Sequence, residues 1–207
     1  MITVINCGTS NLRSVEKALV KLGAEFIVSD KKEDIESASH LILPGVGAFG
    51  ETMKNLHNLG LVECIRKEVL EKKKPILGIC LGMQLLFSTG EEGGINNGIG
   101  LVRGVVKKFD LNPGKRIKIP HIGWNDILGD EIRDIEILKE INEGTNFYFV
   151  HSYHAVSDEK MKKAFTNYGY DFISVFQKGN IFGTQFHPEK SQTEGLKIIK
   201  NFISYNA

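Results

Sequence analysis

The sequence has few cysteines, almost no net charge and no long apolar run, and each absence excludes a class of protein. Only 3 of its 207 residues are cysteine, too few and too scattered for a disulfide framework, so we expect a reducing, cytoplasmic compartment. Lysine and arginine number 26 against 25 aspartates and glutamates, and this balance indicates no nucleic-acid partner and no anionic membrane partner. No segment approaches the roughly 20 apolar residues of a transmembrane helix. The first residues lack the pattern of a signal peptide and predict a strand instead.

The first half of the chain alternates short apolar runs with helical patterns. Strands are predicted at Ile2–Ile5, Glu25–Val28, His40–Leu43 and Pro75–Ile79. Helices are predicted at Leu12–Leu22, from about Glu51 to Lys73 with a break near Gly60, and from around Leu81 onward. This alternation predicts a mostly parallel central sheet flanked by helices.

The second half has a different pattern, a series of strands followed by one helix. Strands are predicted at Leu101–Phe109, Ile117–Ile127, Phe147–Val156, Ala164–Tyr168 and Phe172–Phe186. Turns are predicted at Asn112-Pro113-Gly114 and Lys178-Gly179-Asn180, and a last helix at about Thr193–Ser204. Repeats, low-complexity tracts and linkers are absent from the sequence. The simplest fold is therefore one α/β domain over residues 1–207, with additional antiparallel strands in its C-terminal half.

The most informative segment is Gly78-Ile79-Cys80-Leu81-Gly82, which has the form Gly-x-nucleophile-x-Gly between a predicted strand and a predicted helix. Small residues beside the nucleophile permit a sharp turn that holds it in a strained, exposed position. The helix N-terminus favours a thiolate at Cys80, and the N–H of Leu81 is placed to face a developing oxyanion. The alternative is a buried cysteine in a glycine-containing turn, but the flanking strand and helix favour a nucleophile.

A cysteine nucleophile needs a base, and the base needs a group that orients it. His187 is the candidate base because it stands in Gln185-Phe186-His187-Pro188-Glu189, at the end of a predicted strand. Pro188 favours an extended backbone, and residues two apart in an extended segment point the same way. We therefore predict that Glu189 accepts a hydrogen bond from one imidazole nitrogen while the other faces Cys80. A surface turn without a role is the alternative.

A glycine-rich segment, Leu43–Gly50, follows the third predicted strand. Its glycines permit close approach to a ligand or the presentation of backbone N–H groups. The Gly-Lys-Ser/Thr ending of a phosphate loop is missing. We interpret the segment as an oxyanion strand opposite Cys80, in which the N–H groups of Val46 and Gly47 are the candidates beside Leu81.

Other chemically reactive side chains are predicted to have structural roles. Cys7 and Cys64 lack the context of a nucleophile and are expected to pack in the interior. The basic run Lys72-Lys73-Lys74 is expected to be the solvated end of a helix rather than a phosphate site. His151 and His154 have no third ligand at a metal-like spacing, so we expect no metal and no other cofactor.

Together these segments resemble the class I, triad-type glutamine amidotransferases. The family motifs are matched, in order, by Pro44-Gly45-Val46-Gly47, residues Gly78–Gln84 and residues Phe186–Ser191. Within the family, the chain is similar to the glutaminase subunits of imidazole glycerol phosphate synthases, enzymes of histidine biosynthesis. That narrower likeness rests on Asn11–Val15, Pro120–Asn125 and Phe147–Tyr153. It covers essentially the whole chain and implies the class I glutamine amidotransferase fold.

The resemblance also implies a reaction and a partner. Cys80 attacks the side-chain amide of glutamine, His187 moves the proton, Glu189 orients His187, and water then releases glutamate. Ammonia passes to a (β/α)8-barrel cyclase subunit, which makes imidazole glycerol phosphate and AICAR, so a heterodimer is expected. The residues that hold glutamine in the family match Gln84, Ser152 and Tyr153. The partner-facing segment matches His121, Trp124 and Asn125, although Trp124 alone is also consistent with a core aromatic.

One segment departs from the family. Its first strand usually ends in Asp-Tyr-Gly-x-Gly-Asn, whereas this chain has Asn6-Cys7-Gly8-Thr9-Ser10-Asn11. The triad is unaffected, but the acceptor of the ammonia is left open, and paralogous subunits that supply amidination of surface-polysaccharide sugars are the alternative. A γ-glutamyl peptidase and a scaffold that has lost activity are further alternatives. The segment around Trp124 opposes the peptidase, and the intact triad opposes the scaffold.

Overall fold

The computed structural model describes residues 1–8, 12–110 and 117–206. The strands are β1 (Ile2–Ile5), β2 (Phe26–Ser29), β3 (His40–Gly45), β4 (Ile76–Cys80), β5 (Phe87–Gly90), β6 (Asn96–Asn97), β7 (Val102–Lys108), β8 (His121–Asp126), β9 (Asn146–His151), β10 (Tyr153–Val156), β11 (Lys162–Asn167), β12 (Asp171–Lys178) and β13 (Ile181–Thr184). The helices are α1 (Leu12–Lys21), α2 (Lys32–Ser37), α3 (Phe49–Asn58), α4 (Leu61–Leu70), α5 (Leu81–Leu85) and α6 (Gln192–Ile203). Short 3₁₀ helices lie at Ile132–Asp134, Glu136–Leu138 and Pro188–Lys190.

The central sheet has the strand order β11-β12-β13-β4-β3-β1-β2. Strands β2, β1, β3, β4 and β13 are parallel, whereas β12 and β11 are added antiparallel at one edge. The predicted α/β architecture, with antiparallel strands contributed by the C-terminal half, is therefore confirmed. A four-stranded sheet, β10-β7-β5-β6, and the two-stranded pair β8-β9 complete the strand pairing of the described residues.

Both faces of the central sheet are buried. Along β3, Leu41 and Leu43 belong to one buried apolar cluster, while Ile42 between them belongs to the other. Successive side chains of a strand point to opposite faces, so each cluster covers one side of the sheet. A strand buried on both faces is expected to be continuously apolar, which is why the His40–Leu43 run is recognisable in the sequence.

Several boundaries differ from the predicted ones. The predicted strand Phe147–Val156 is divided at Ser152, because β9 pairs with β8 whereas β10 pairs with β7. The predicted strand Ile117–Ile127 is shorter, as β8 (His121–Asp126). The turn at Lys178-Gly179-Asn180 separates β12 from β13, and Gly179 has a φ of 57°. The turn predicted at Asn112-Pro113-Gly114 lies outside the described residues.

The basic run after α4 is not wholly solvated, so that prediction is wrong for Lys74. The side chain of Lys74 is 8% exposed and its Nζ lies 2.8 Å from Oε2 of Glu68, which is 1% exposed. Lys74 also donates hydrogen bonds to the carbonyls of Ile35 and Glu36. The residue follows the end of α4, where the chain turns toward β4, and this turn carries its side chain inward. Lys72 remains half-exposed, 2.6 Å from Glu68 Oε1.

The parallel strands bring the predicted site residues to one edge of the sheet. Gly45 ends β3 opposite Cys80, which ends β4, and His187 comes three residues after the end of β13. The carboxyl ends of neighbouring parallel strands meet at the same edge, where α/β proteins bind their ligands. None of the described helices has the length and apolar character to cross a membrane.

Candidate active site

Cys80 occupies the sharp turn between β4 and α5. Its backbone has φ 53° and ψ −111°. This positive-φ conformation costs a non-glycine residue free energy and marks a constrained site. A Cβ built on Gly82 would overlap the carbonyl group of Leu43 in β3, and one built on Gly78 would lie 2.6 Å from the Cα of Met83. The glycines on both sides of Cys80 permit the sharp turn that was predicted, and they also let α5 lie directly against the ends of two strands.

The side chain of Cys80 is buried, not exposed as predicted. Only 6% of the residue is accessible, because β9 covers it and the carbonyl oxygen of Val150 lies 3.8 Å from its Sγ. The amide Nε2 of Gln185, itself fully buried, lies 3.9 Å from Sγ on another side. Cys80 therefore lines a partly open cavity and does not lie on the outer surface.

His187 and Glu189 form a buried pair beside this turn. Nδ1 of His187 lies 2.8 Å from Oε1 of Glu189, and each side chain is 3% exposed. The predicted contact is present, but the predicted extended path is wrong beyond His187. His187 is extended at φ −97° and ψ 94°, whereas Pro188–Lys190 is a 3₁₀ helix. Pro188 fits the first position of that turn, which folds the Glu189 carboxylate back onto the imidazole.

The electrostatics favour a charged imidazole. Burial alone lowers the pKa of His187, but the charge of Cys80 and its hydrogen bond, together with the same two contributions from Glu189, raise that pKa to about 10. Among the described residues, the buried Nε2 atom of His187 has no partner that meets strict hydrogen-bond geometry, so Cys80 acts on it chiefly through charge. A charged imidazole held between a cysteine and a carboxylate is the arrangement that a cysteine nucleophile requires.

A cavity of about 260 Å³ opens at this point. The predicted site residues that line it are Cys80, His187, Val46, Gly47, Leu81, Gln84, Ser152 and Tyr153. The structure thus brings together the predicted nucleophile, base, oxyanion strand and substrate-binding residues. Glu189 stands behind His187, away from the lining.

Three more residues line the same cavity but were not predicted there: Glu92, Val150 and His151. Glu92 accepts a hydrogen bond from the N–H of Phe49, at 2.8 Å, and so holds the start of α3 beside the oxyanion strand. Glu92 stands in a loop without periodicity, and no sequence signal marks it. Val150 and His151 fall inside the Phe147–Tyr153 likeness, which was the available signal.

The residues predicted to form the oxyanion site lie on two elements and line the same cavity as Cys80. Leu81 is the first residue of α5, so its N–H is free of the helical ladder. Val46 and Gly47 follow β3, and Gly47 has a φ of 115°, a conformation that favours glycine and turns the local peptide groups.

Gln84 is fixed on the cavity wall. Its Nε2 donates to the carbonyl oxygen of Tyr153 at 2.9 Å and to Oε1 of Gln185 at 3.0 Å. Both amide protons are therefore used within the protein, and the carboxamide cannot flip without losing both bonds. Its oxygen is the atom left to face a ligand.

The segment predicted to face a partner divides into exposed and internal side chains. Trp124 is 48% exposed and its neighbour on the same face of β8, Ile122, is 59% exposed. His121 is only 3% exposed and stacks on Tyr168, with ring centroids 4.0 Å apart. Asn125 donates to the carbonyl oxygen of Asn167 at 3.0 Å. Trp124 and Ile122 are thus the members of the segment that present surface, whereas His121 is internal.

His151 and His154 do not form part of a metal cluster. Among the described residues no group of three or more histidine, cysteine or acidic side chains could hold a metal ion. His151 and His121 are instead hydrogen-bonded directly, with 3.0 Å between Nε2 and Nδ1, and the Nε2 atom of His154 lies 2.8 Å from the hydroxyl of Tyr170.

Comparison with known families assigns the class. The sequence matches the family described as "Glutamine amidotransferase class-I" over residues 3–205. The chain belongs to this family and is a glutamine amidotransferase with glutaminase activity. Solved structures share its fold. One titled "Crystal structure of glutamine amidotransferase" has a TM-score of 0.74 at 22% identity, covering 98% of this chain and 96% of the other. The "Structure of PurLQS from Thermotoga maritima" has a TM-score of 0.71 at 22% identity, covering 99% and 97%.

Three relatives of higher identity are named as the same subunit. The chain is 46% identical to the "Imidazole glycerol phosphate synthase subunit HisH 1" of Campylobacter jejuni (strain RM1221), over 98% of this chain and 99% of that protein. It is 48% identical to the "Imidazole glycerol phosphate synthase subunit HisH" of Moorella thermoacetica, over 97% and 93%. A protein of the same name from Aquifex aeolicus is 48% identical, over 96% and 94%.

Proposed function

We propose that this chain is the glutaminase subunit of an imidazole glycerol phosphate synthase and acts as one domain over residues 1–207. It hydrolyses glutamine and delivers the ammonia to a (β/α)8-barrel cyclase subunit that makes imidazole glycerol phosphate and AICAR in histidine biosynthesis. The observation that carries the proposal is the near full-length identity of 46–48% to proteins named as that subunit. The geometry around Cys80 supports the chemistry.

The reaction begins with attack of the Cys80 thiolate on the carboxamide carbon of glutamine, which forms a C–S bond and places negative charge on the amide oxygen. We assign the stabilisation of that charge to the N–H groups of Leu81, Val46 and Gly47. The imidazolium of His187 gives its proton to the departing nitrogen, so ammonia leaves and a glutamyl thioester remains.

The second half of the reaction uses the same base in reverse. Neutral His187 takes a proton from water, the resulting hydroxide attacks the thioester, and the C–S bond breaks to release glutamate and regenerate the thiolate. Glu189 holds the imidazole in one tautomer and stabilises its charged form through the 2.8 Å contact with Nδ1.

Glutamine is held by the cavity walls. The free oxygen of Gln84, the side chain of Ser152 and the backbone around Tyr153 supply hydrogen-bonding groups on one side. Glu92 adds a carboxylate to the cavity lining, and a carboxylate there is suited to the α-ammonium group of an amino acid.

A partner surface lies one strand away from the nucleophile. Trp124 pairs with Tyr148, and Ile122 pairs with Val150, across β8 and β9, which gives an exposed apolar face. The carbonyl of Val150 points instead toward Cys80, 3.8 Å from its Sγ. Exposed aromatics anchor interfaces, so a subunit docked on this face receives ammonia close to where it is formed.

The test is glutamine hydrolysis by the purified chain with and without a barrel cyclase subunit, followed by product formation from the imidazole-pathway nucleotide. We expect strong stimulation by the partner, and product formed with glutamine as the nitrogen source. Trp124→Ala is expected to weaken the complex about tenfold or more, whereas Ile95→Ala, at a surface residue 85% exposed, is the matched control. Cleavage of γ-glutamyl peptides that is equally fast with and without the partner would contradict the proposal.

The acceptor is tested separately from the glutaminase step. The segment Asn6–Asn11 departs from the family, and Thr9, Ser10 and Asn11 lie outside the described residues. A complex that hydrolyses glutamine but forms no imidazole product, and instead supplies ammonia for sugar amidination, would assign the chain to the paralogous pathway while leaving the glutaminase chemistry intact.

A further inference from the structure

A chain of hydrogen bonds between side chains runs from β8 to the wall of the glutamine cavity. Nδ2 of Asn125 lies 3.3 Å from Nε2 of His121, and Nδ1 of His121 lies 3.0 Å from Nε2 of His151. Nδ1 of His151 lies 2.8 Å from the carbonyl oxygen of Tyr153. This chain of hydrogen bonds starts next to the exposed Trp124 and ends at Tyr153, which lines the cavity.

Each link has only one direction that chemistry permits. The carbonyl of Tyr153 can only accept, so Nδ1 of His151 carries a proton. In a neutral imidazole the other nitrogen is then an acceptor, which requires that Nδ1 of His121 donate to it. Nε2 of His121 is left as an acceptor, and Asn125 supplies the donor. The orientation of Asn125 agrees, because its Nδ2 also donates to the carbonyl of Asn167.

Both imidazoles are neutral at physiological pH. Burial lowers the pKa of His121 to about 4. Burial is also the main cause that lowers the pKa of His151 to about 3, and the neighbouring histidines add to it. The two rings therefore hold one fixed pair of Nδ1–H tautomers.

Aromatic packing prevents the rings from turning. His121 is stacked between Tyr168 and Phe149, with ring centroids 4.0 Å and 4.8 Å away. The ring of His151 lies 5.1 Å from that of Phe172 and 5.3 Å from that of Phe109. Apolar rings would fill this space as well, and burying polar nitrogens costs free energy unless they are bonded. Two bonded imidazoles in such surroundings indicate a use for the hydrogen bonds themselves.

The chain of hydrogen bonds ends at Tyr153, on the wall of the cavity proposed to bind substrate. The carbonyl oxygen of Tyr153 accepts from His151 on one side and from Nε2 of Gln84, at 2.9 Å, on the other. Gln84 continues to Gln185 at 3.0 Å, and Gln185 reaches Sγ of Cys80 at 3.9 Å. The position of one carbonyl group therefore determines the orientation of the Gln84 carboxamide.

We infer that His121 and His151 are positioning residues of the glutaminase site, which hold the Tyr153 carbonyl and, through it, the Gln84 side chain in the orientation that binds glutamine. The inference rests on the proposed function. It assigns to His121 an internal role rather than a contact with a partner.

The tautomers give a test that does not depend on activity. Long-range ¹H–¹⁵N correlation spectra of the full chain labelled at histidine are expected to show His121 and His151 as neutral Nδ1–H tautomers at pH 7. An Nε2–H tautomer or a charged ring at either position would overturn the inference. Cys80→Ala, which is expected to be inactive, should give the same two histidine signals. The tautomer measurement therefore does not require glutamine hydrolysis.

Kinetics of the complex test the positioning role. His151→Phe keeps the ring and removes the donor, and we expect the KM for glutamine to rise about tenfold with kcat changed by less than about threefold, as for the loss of one buried hydrogen bond. His151→Asn retains a donor near the Nδ1 position and is expected to restore KM to within about threefold. His121→Phe is expected to shift KM in the same direction, and exposed His57→Asn is the control.

The outcomes separate this inference from the proposed function. If the wild-type complex lacks glutaminase activity, the proposed function fails. The NMR measurement of the His121 and His151 tautomers still tests the hydrogen-bond chain. If the wild type is active and His151→Phe leaves KM unchanged, or His151→Asn fails to rescue it while folding normally, the positioning role is refuted.

Discussion

Oε1 of Glu189 lies 2.8 Å from Nδ1 of His187, and both side chains are only 3% exposed. A buried carboxylate in this position orients the imidazole and stabilises its charged form. The second carboxylate oxygen, Oε2, is buried and has no hydrogen-bond partner among the described residues. The carboxylate therefore acts chiefly on His187.

Glu189→Gln keeps the shape of the side chain and removes its charge. We expect the pKa of His187 to fall and kcat for glutamine hydrolysis to drop about 10²-fold or more, the usual contribution of a positioned acid–base group. Steady-state kinetics of the complex measure this. Glu194→Gln, at a partly exposed carboxylate in α6, is the control, and a kcat within about threefold of wild type for Glu189→Gln would contradict the assigned role.

Cys80→Ala is expected to abolish glutamine hydrolysis and to lower the pKa of His187. Burial acts to lower that pKa, and the charge of Cys80 is the largest of the causes that raise it to about 10. Histidine NMR titration follows the shift, and Cys64→Ala in α4 is the control. Retained hydrolysis in Cys80→Ala would refute the nucleophile.

The same pKa predicts a pH dependence of stability. The folded-state pKa of His187 is raised above its ordinary value of 6.5 to about 10. Its charge therefore contributes stability that is fully present below about pH 6.5 and is lost as the pH rises toward 10. The wild type should lose more unfolding free energy across this range than Cys80→Ala, and urea denaturation at several pH values decides it. Parallel pH profiles for the two proteins would show that the thiolate does not act on His187.

Gly82→Ala tests the packing beneath the nucleophile. A Cβ there would overlap the carbonyl of Leu43, and backbone cannot rotate away as a side chain can, so we expect a loss of about 3 kcal/mol or more. Gly23→Ala is the matched control, because Gly23 has a φ of 67° but open space around it. Its cost should be about 1–2 kcal/mol from the left-handed backbone alone. Equal destabilisation of the two variants, measured by urea denaturation, would argue against the overlap.

Lys74→Met removes one partner of a buried carboxylate. Glu68 is 1% exposed, and Lys74 lies 2.8 Å away. Breaking a buried pair from one side leaves charge uncompensated, and we expect a loss of about 3 kcal/mol, moderated by the remaining contact with Lys72. Lys73→Met, at an exposed neighbour, should change the unfolding free energy by about 0.5 kcal/mol or less. A neutral Lys74→Met would mean that solvent reaches Glu68.

Glu68 also gives the fold a sensitivity to acid. Burial acts to raise the pKa of Glu68, but the hydrogen bonds and charges of Lys72 and Lys74 outweigh it and lower that pKa below its ordinary 4.5. Its contribution to stability is therefore present above about pH 4.5 and is lost as the pH falls through the lowered value. In Glu68→Gln, the free energy of unfolding should therefore fall less steeply than in the wild type as the pH drops below about 4.5. Urea denaturation at several acidic pH values measures this.

The sequence predicted the parts of the site that depend on local geometry. Gly78–Gly82 and Gln185–Glu189 each combine a strand end with a turn, and together their residue types favour a nucleophile and its base over the structural alternatives. Glu92 was not predictable in this way, because it comes to the cavity through a hydrogen bond to Phe49, 43 residues away in the chain. Lys74 was misjudged because the chain turns after α4, which carries its side chain to Glu68 and to the carbonyls of Ile35 and Glu36.

The division at Ser152 shows a second limit. Apolar periodicity indicated one strand from Phe147 to Val156, and the backbone is indeed extended on both sides of Ser152. Periodicity identifies the buried face of a strand but not the strand with which it pairs. The change from β8 to β7 as partner places Ser152 and Tyr153 at the cavity, so the feature that creates the binding site is the one that local sequence does not reveal.

The contact of α5 with β3 and β4 also sets how this enzyme can be redesigned. Backbone atoms meet backbone atoms at Gly78 and Gly82, so no side chain lies between helix and sheet at these two positions whose size can be adjusted. Substitutions that retune specificity must therefore come from the other walls, around Val46 and Tyr153, and the nucleophile turn will behave as a fixed module on which those walls are varied.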